Sequence, residues 1–515
     1  MGTVVVINGQ ALTPEQVVEV AHGARVVLGG DARKRMSASA AAFAAQPSIV
    51  RAKRRALVGA DPRAGETDGE GELERFILDH CAGVGDPLPD DVTRALMVCR
   101  ANVLAVGPSG ARPEAAEALI ALLNAGITPV VPSQGSVGAA GDLAPLAHVA
   151  RVLCGWGGLA RRADGTVGEG LPDGHPAFVP TPKEALSLIN GATLTSALAA
   201  VAVERAQRVL EALEVACAMT MEALRADRRC LSIAAIDARN HVGAVRVAAR
   251  LGRLLEGSTA VVAGNPPDAF SVRAAPAVIG ALHDTLAHVR GVVLDELNGA
   301  CDNPLWFEGE GFVEAGNFHG APVAVALDAL RIAVTQAITQ SERRTSRLST
   351  GDLTHDLPSF LVEGTGLNSG FMLAQYTAAS LVSACKGLAH PASVDTIPTV
   401  QHHEDHVSMG PIAGRMTLLT LEHAADVVAI EALLAAQALD FRREGVSWRG
   451  RERQSVPPQV LPPGVARAHG VVRGVTARWL DDQVLHPDLV AVGRLVRAGA
   501  LSGGPRAGWD GWNAR

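Results

Sequence analysis

The residues best suited to chemistry fall in a few short stretches. The densest is Gln134-Gly-Ser-Val-Gly-Ala-Ala-Gly-Asp-Leu-Ala-Pro-Leu-Ala-His148. Its small side chains let backbones approach closely, and its glycines accept positive φ. His80, in Asp79-His80-Cys81, offers an imidazole that exchanges protons near neutral pH. Arg273, in Asp268-Ala-Phe-Ser-Val-Arg273, offers a planar guanidinium that pairs with a carboxylate through two hydrogen bonds. Asn190, in Leu188-Ile-Asn-Gly191, offers an amide for a carboxylate or a carbonyl. Gln401-His-His-Glu-Asp-His-Val-Ser-Met409 gathers three histidines and two acids. That composition suits a metal, but successive residues point in different directions, and carboxylate–histidine pairs produce the same composition; no metal is expected. Each of these has a plainer reading. His80 could be packed against a backbone carbonyl, Arg273 could pair with Asp268, and Asn190 could be satisfied inside a helix bundle.

The 134–148 stretch resembles the prosthetic-group loop of the aromatic amino-acid ammonia-lyase family, its histidine ammonia-lyase-like members most of all. In that family an Ala-Ser-Gly tripeptide cyclises with loss of two waters to methylidene-imidazolone, an electrophilic alkene. The matching residues here are Ala139, Ala140 and Gly141, a degenerate triad without the serine hydroxyl. The resemblance therefore carries the expectation of no cofactor, methylidene-imidazolone being absent. It runs from Leu73-Glu-Arg-Phe-Ile-Leu-Asp-His80 to Arg442.

Taken residue by residue, the resemblance implies a substrate-binding set. Asn190 matches the asparagine beside the imidazolone oxygen, and His80 a histidine that contacts the substrate ring. Arg273 matches the carboxylate clamp. Asn303, in Asp302-Asn303-Pro304, and Phe318, in Gly316-Asn-Phe-His319, match a polar and a ring-packing position. Glu404 takes the place of a substrate-reading glutamate. His80 and Glu404 are the expected acid and base; Asn190, Arg273, Asn303, Phe318 and Phe270 are the expected substrate contacts. The sequence also departs from the family. Phe270 and Pro267 replace a tyrosine and a glutamine, and Ala321 stands where many relatives carry a glutamate. Nothing in Gly59–Gly71, read as a mobile surface loop, matches the segment that bears the family's catalytic tyrosine. The single tyrosine, Tyr376, sits in an apolar helical pattern and reads as core.

Three readings fit these residues. One is an enzyme of this fold acting on a small carboxylate-bearing, amino-acid-like or aromatic molecule by acid/base chemistry: elimination, addition, isomerisation or cyclisation. Another is a non-catalytic small-molecule-binding or partner subunit. The third is an inactivated Ser-to-Ala variant of a histidine ammonia-lyase-like enzyme.

These residues must be positioned by helices. Of 515 residues, 48% are hydrophobic and only 19% charged. Apolar residues recur at three- and four-residue spacing over Pro182 towards Met221, Ala277–Leu297, Pro322–Leu348, Asn368–Leu388 and Val407–Phe441. The fold class expected is mostly α: a long-helix bundle of the histidine/phenylalanine ammonia-lyase type with a small α+β N-terminal part. Expected domains are 1–180 with the Gly/Ala loop, 181–445 as the central bundle, and 446–515 as a helical segment and tail. Helix starts are written at Thr13-Pro14 and at Thr181-Pro-Lys-Glu184, where a threonine cap precedes proline. Broad apolar faces, and the resemblance, imply a homotetramer. A net charge of −7 with one short basic run, Arg51-Ala-Lys-Arg-Arg55, argues against nucleic acid. No apolar run is expected to reach the length of a membrane span. Seven scattered cysteines without Cys-x-x-Cys spacing fit reduced thiols and a cytoplasmic location.

Overall fold

A computed structural model describes residues 4–45, 71–260, 268–354, 356–449 and 452–502. The expected mobile loop at 59–71, apart from Gly71, lies outside the described residues, as do Pro267 and the tail beyond Ser502. The chain divides into two compact units.

The first unit comprises Met1–Glu204, Val289–Asp328 and Pro391–Leu418. It opens with strands Val4–Ile7 and Arg25–Leu28, paired in parallel with Val4 opposite Arg25. Between them runs helix Pro14–Ala21, started by a capping box: the Thr13 hydroxyl accepts the Gln16 N–H, and the Gln16 side chain accepts the Thr13 N–H. Helix Asp90–Val106 is the centre of this unit, with every residue from Val92 to Ala105 buried. Around it lie helices Pro14–Ala21, Gly30–Ala44 and Pro113–Asn124. The turn-rich 157–180 region adds strands Leu159–Arg161 and Val167–Glu169 to Thr128–Pro129 as a three-stranded antiparallel sheet. Strand Val84–Pro87 pairs with Pro132–Gln134, which leads straight into the Gly/Ala loop.

The second unit comprises Arg205–His288, Ala329–His390 and Leu419–Arg515. Its interior includes a closed ion pair: Arg344 donates two bonds to Glu431, whose oxygens also accept the Thr220 and Ser341 hydroxyls. All four groups are buried, so the charges are compensated within a fully bonded set.

The four longest helices are Thr193–Ala223, Ala275–Leu297, Ala321–Leu348 and Gly410–Glu444. At about 1.5 Å per residue, the last rises roughly 50 Å. Three sequence expectations need correction here. The helix expected from Pro182 towards Met221 is two helices, Pro182–Ile189 and Thr193–Ala223, parted by Asn190, Gly191 and Ala192. Asn190 is extended (φ −88°, ψ 121°) and Gly191 has φ +132°, a turn that apolar periodicity does not register. Ala275–Leu297 and Ala321–Leu348 are long and apolar enough to cross a membrane by length and composition, against the expectation that no run reaches that length. Each buries a stripe: Ile279, Leu282, Leu286 and Val293 on one, Val323, Leu327, Leu330 and Val334 on the other. Tyr376 is 63% exposed on helix Met372–Leu388 rather than core.

Candidate active site

The Gly/Ala loop is held against the break in the helix. A Cβ added to Gly141 (φ +81°) would lie 2.1 Å from the Gly191 carbonyl carbon, so two glycine backbones meet where no side chain fits. Around that contact the Asp142 N–H donates to the Gly191 carbonyl at 2.8 Å, and the Gly191 N–H donates to the Ala140 carbonyl at 3.3 Å. The segment before the loop's tip is fixed from a third element. Met409 N–H donates to the Val137 carbonyl at 2.9 Å, and the Ser408 hydroxyl to the Gly138 carbonyl at 3.1 Å. Ala139 packs with Val407 and Met409.

Asp142 underlies this arrangement. It is fully buried and accepts the Thr195 N–H at 2.9 Å, the Thr195 hydroxyl at 3.3 Å and the Ser136 hydroxyl at 2.9 Å. Burial pushes its carboxyl up to about 6 in spite of those donors.

Beside the break lies a buried charge cluster that sequence reasoning did not isolate. Asp302 accepts Lys183 Nζ at 3.1 Å, the Ser187 hydroxyl at 2.7 Å, its neighbour's Asn303 N–H at 2.8 Å and Asn190 Nδ2 at 3.4 Å. Arg100 stands 3.8 Å from the same carboxylate and donates to the Cys301 carbonyl at 3.1 Å. A signal was present: Arg100 interrupts the apolar run Met97–Val106, and a charge in such a run calls for a buried partner.

The first unit brings most of the expected site residues onto this framework. Asn190 is buried; its Nδ2 donates to the Asn303 carbonyl at 2.9 Å, and its Oδ1 is buried without a partner among the described residues. Asn303 is buried, and its Oδ1 accepts the Ala315 N–H at 2.9 Å. That bond ties down the segment leading to half-buried Phe318. Glu404 accepts the Thr399 hydroxyl at 2.6 Å through Oε2, while Oε1 is buried without a partner among the described residues. His80 closes helix Glu72–Asp79, which packs against helices Leu143–Leu153 and Pro182–Ile189. Its Nδ1 lies 2.7 Å from the Phe76 carbonyl. A carbonyl only accepts, so Nδ1 carries the hydrogen and Nε2 of the neutral ring presents a lone pair. Of the clustered histidines, His402, His403 and His406 are exposed, and His406 Nδ1 lies 3.4 Å from His319 Nε2.

Arg273 and Phe270 belong to the second unit. The four-residue helix Phe270–Arg273 leaves Phe270 72% exposed, with the Arg273 guanidinium 4.9 Å over its ring. Arg273 is exposed, and it does not pair with Asp268, whose carboxylate accepts the Asp227 N–H at 2.8 Å.

Residues 12–460 match the aromatic amino acid lyase family model. The histidine ammonia-lyase of Anaeromyxobacter sp. (strain K) is 42% identical over 516 residues, covering 96% of this chain and 99% of the relative. That of Caldanaerobacter subterraneus subsp. tengcongensis is 39% identical, covering 96% and 97%. Among solved structures, histidine ammonia-lyase from Trypanosoma cruzi superposes with a TM-score of 0.83 at 35% identity, covering 97% of this chain and 94% of the other. Tyrosine aminomutase from Streptomyces globisporus gives 0.85 at 33% identity, covering 97% and 98%.

These comparisons overturn the expectation of no cofactor. The relatives matched from end to end are histidine ammonia-lyases, enzymes that use methylidene-imidazolone. Tested against that group, the backbone of Ala139–Gly141 has a close-fitting cradle in Gly191, whereas Ala140 brings a methyl side chain and no hydroxyl. The side chain at 140 does not fit, having no hydroxyl to lose. With a family model spanning most of its length and relatives at about four in ten identical residues, the chain belongs to the aromatic amino acid lyase family, a family of enzymes.

Proposed function

We propose that this enzyme acts on a small carboxylate-bearing, amino-acid-like or aromatic molecule and moves protons with Glu404 and His80 to eliminate, add, isomerise or cyclise. The observation that carries the reading is the buried, unclaimed Oε1 of Glu404. Its sister oxygen is held by Thr399, so one oxygen is anchored and the other is left to meet a ligand. A buried acceptor without a partner costs about 1–3 kcal/mol, which a bound donor offsets. Asn190 Oδ1 is a second such atom.

His80 supplies a base, because its Nδ1–H is committed to Phe76 and Nε2 keeps its lone pair. Glu404 returns or removes the second proton. Within the first unit Asn303 adds a polar contact and Phe318 an apolar one; in the second unit Arg273 receives a carboxylate, with Phe270 beside it. The relatives' names support amino acids such as histidine and tyrosine as first candidates. The chain assembles as a homotetramer, a reading supported by exposed apolar side chains such as Leu373 and Tyr376 on its helices. Seven free cysteines support a reducing, cytoplasmic setting.

The test is turnover of L-histidine, L-tyrosine and L-phenylalanine. Ammonia, arylacrylate absorbance and rearranged amino acids are followed for the wild type, Glu404→Gln and His80→Gln. Each substitution should lower kcat by at least about 100-fold. Unchanged kcat in Glu404→Gln would remove the reading.

A further inference from the structure

In the second unit, two glycines set the geometry of a cavity. A Cβ added at Gly243 would lie 2.2 Å from the Gly280 carbonyl oxygen, and one at Gly280 would lie 2.4 Å from the Ala244 nitrogen. Helices Val242–Leu254 and Ala275–Leu297 therefore touch backbone to backbone. Asp284 reaches across and accepts the Gly243 N–H at 2.8 Å, so the first turn of one helix is clamped to the other. The cavity beside this contact measures about 470 Å³. Pockets for small organic molecules run from about 300 to 1,000 Å³.

The chemistry of its wall is unequal. Ile236, Pro276 and Val278 give it an apolar side, while Arg239, His241 and Arg273 bring cationic or donor groups. The carboxylate on the wall, Asp284, is engaged by the Gly243 N–H. The Arg239 side chain makes no ion pair or hydrogen bond among the described residues, and Arg273 rests on the Phe270 ring. Arg239 and Arg273 both line this partly apolar chamber, and a single carboxylate pairs with only one of them.

We infer that Arg239, assisted by His241, receives a second acidic group of a ligand whose carboxylate meets Arg273, so this cavity takes a dianion with an apolar middle. This rests on the reading of Arg273 as the carboxylate anchor. The apolar wall fits the middle of such a molecule, and the two arginines fit its ends. Arg239 then decides which acids this cavity prefers.

The experiment is calorimetric titration of the full-length protein with two acids of one skeleton. These are 3-phenylpropanoate, with one carboxylate, and 3-(4-carboxyphenyl)propanoate, with two. The wild type should bind the diacid at least about tenfold more tightly. Arg239→Gln should abolish that preference and leave the monoacid unchanged; His241→Gln should reduce it; Arg273→Gln should weaken both acids. Arg239 is exposed, so its variant is expected to fold, and circular dichroism checks this. Equal affinity for the two acids in the wild type, or a preference that survives Arg239→Gln, overturns the inference. If Arg273→Gln still weakens both acids in that case, the anchor reading stands alone. If it affects neither acid, the anchor reading is overturned too.

Discussion

The N–H of Asp142 and the carbonyl of Gly191 meet at 2.8 Å, joining the Gly/Ala loop to a break in a helix 49 residues later in the chain. The same carbonyl also accepts the Thr193 N–H at 2.8 Å, so one oxygen serves both the loop and the start of the next helix. Loop position and helix start are therefore one structural event.

Gly191→Ala should destabilise the protein by about 1–3 kcal/mol from backbone strain alone, with more from collision. The new Cβ at φ +132° would sit 2.2 Å from the Cys301 carbonyl oxygen. Gly257→Ala is the control: φ is +85° there, but nothing lies within 4 Å. Thermal melting should show a larger drop for Gly191→Ala. Equal drops would mean that the Gly191–Cys301 contact is not tight.

Asp302→Ala should cost about 3–5 kcal/mol, because Lys183 and Arg100 would keep buried charge without their carboxylate. Asp302→Asn should cost less, since its amide oxygen still accepts the Ser187 hydroxyl. Urea denaturation of the two variants gives the order. A variant with alanine that melts like the wild type would show that the cluster is not closed.

Asp142 makes stability fall as pH rises. Its carboxyl is raised from 3.8 to about 6 in the folded chain, so between those values the unfolded state has released a proton that the folded state retains. Stability is fully present below about pH 3.8, declines as pH rises to about 6, and is level beyond. A difference of that size corresponds to roughly 3 kcal/mol at most. Subtracting the pH profile of Asp142→Asn from that of the wild type isolates this carboxyl from Glu214, which burial pushes up to about 8. A flat difference between pH 4 and 7 would contradict the assignment.

Leu373→Glu and Tyr376→Glu should lower the oligomeric state without unfolding the chain, since both side chains are at least 60% exposed on one helix. Light scattering checks the mass, and circular dichroism the helicity. An unchanged assembly in both variants would exclude this face from the interface.

What was legible in the sequence was local. Thr13 and Thr181 mark helix starts because a capping box is built from residues three apart, and both boxes form. The spacing over Ala277–Leu297 foretells its helix because burial repeats with the helical turn. The break at Asn190–Ala192 was not legible, because its flanks share one apolar rhythm and the turn depends on Gly141 and Cys301, both remote in the chain. For the same reason the sequence does not show that Arg273 is exposed or that Lys183, read as part of a helix start, ends on Asp302. Of the candidate site, residue types were readable; which oxygen was spoken for was not. Glu404 Oε2 is taken by Thr399 and Oε1 by nothing among the described residues, a difference that exists only in three dimensions.

The shared Gly191 oxygen bears on protein engineering. Exchanging the 134–148 segment for a relative's would import a loop shaped to that relative's own helix break. The Gly141–Gly191 contact leaves no slack to absorb a mismatch, since a single added carbon atom would overlap the opposing backbone. The smallest transplantable module is therefore two-part: 134–148 together with 186–196, moved as a set. A chimera carrying either piece alone would retain its helices and lose the seat on which the loop rests.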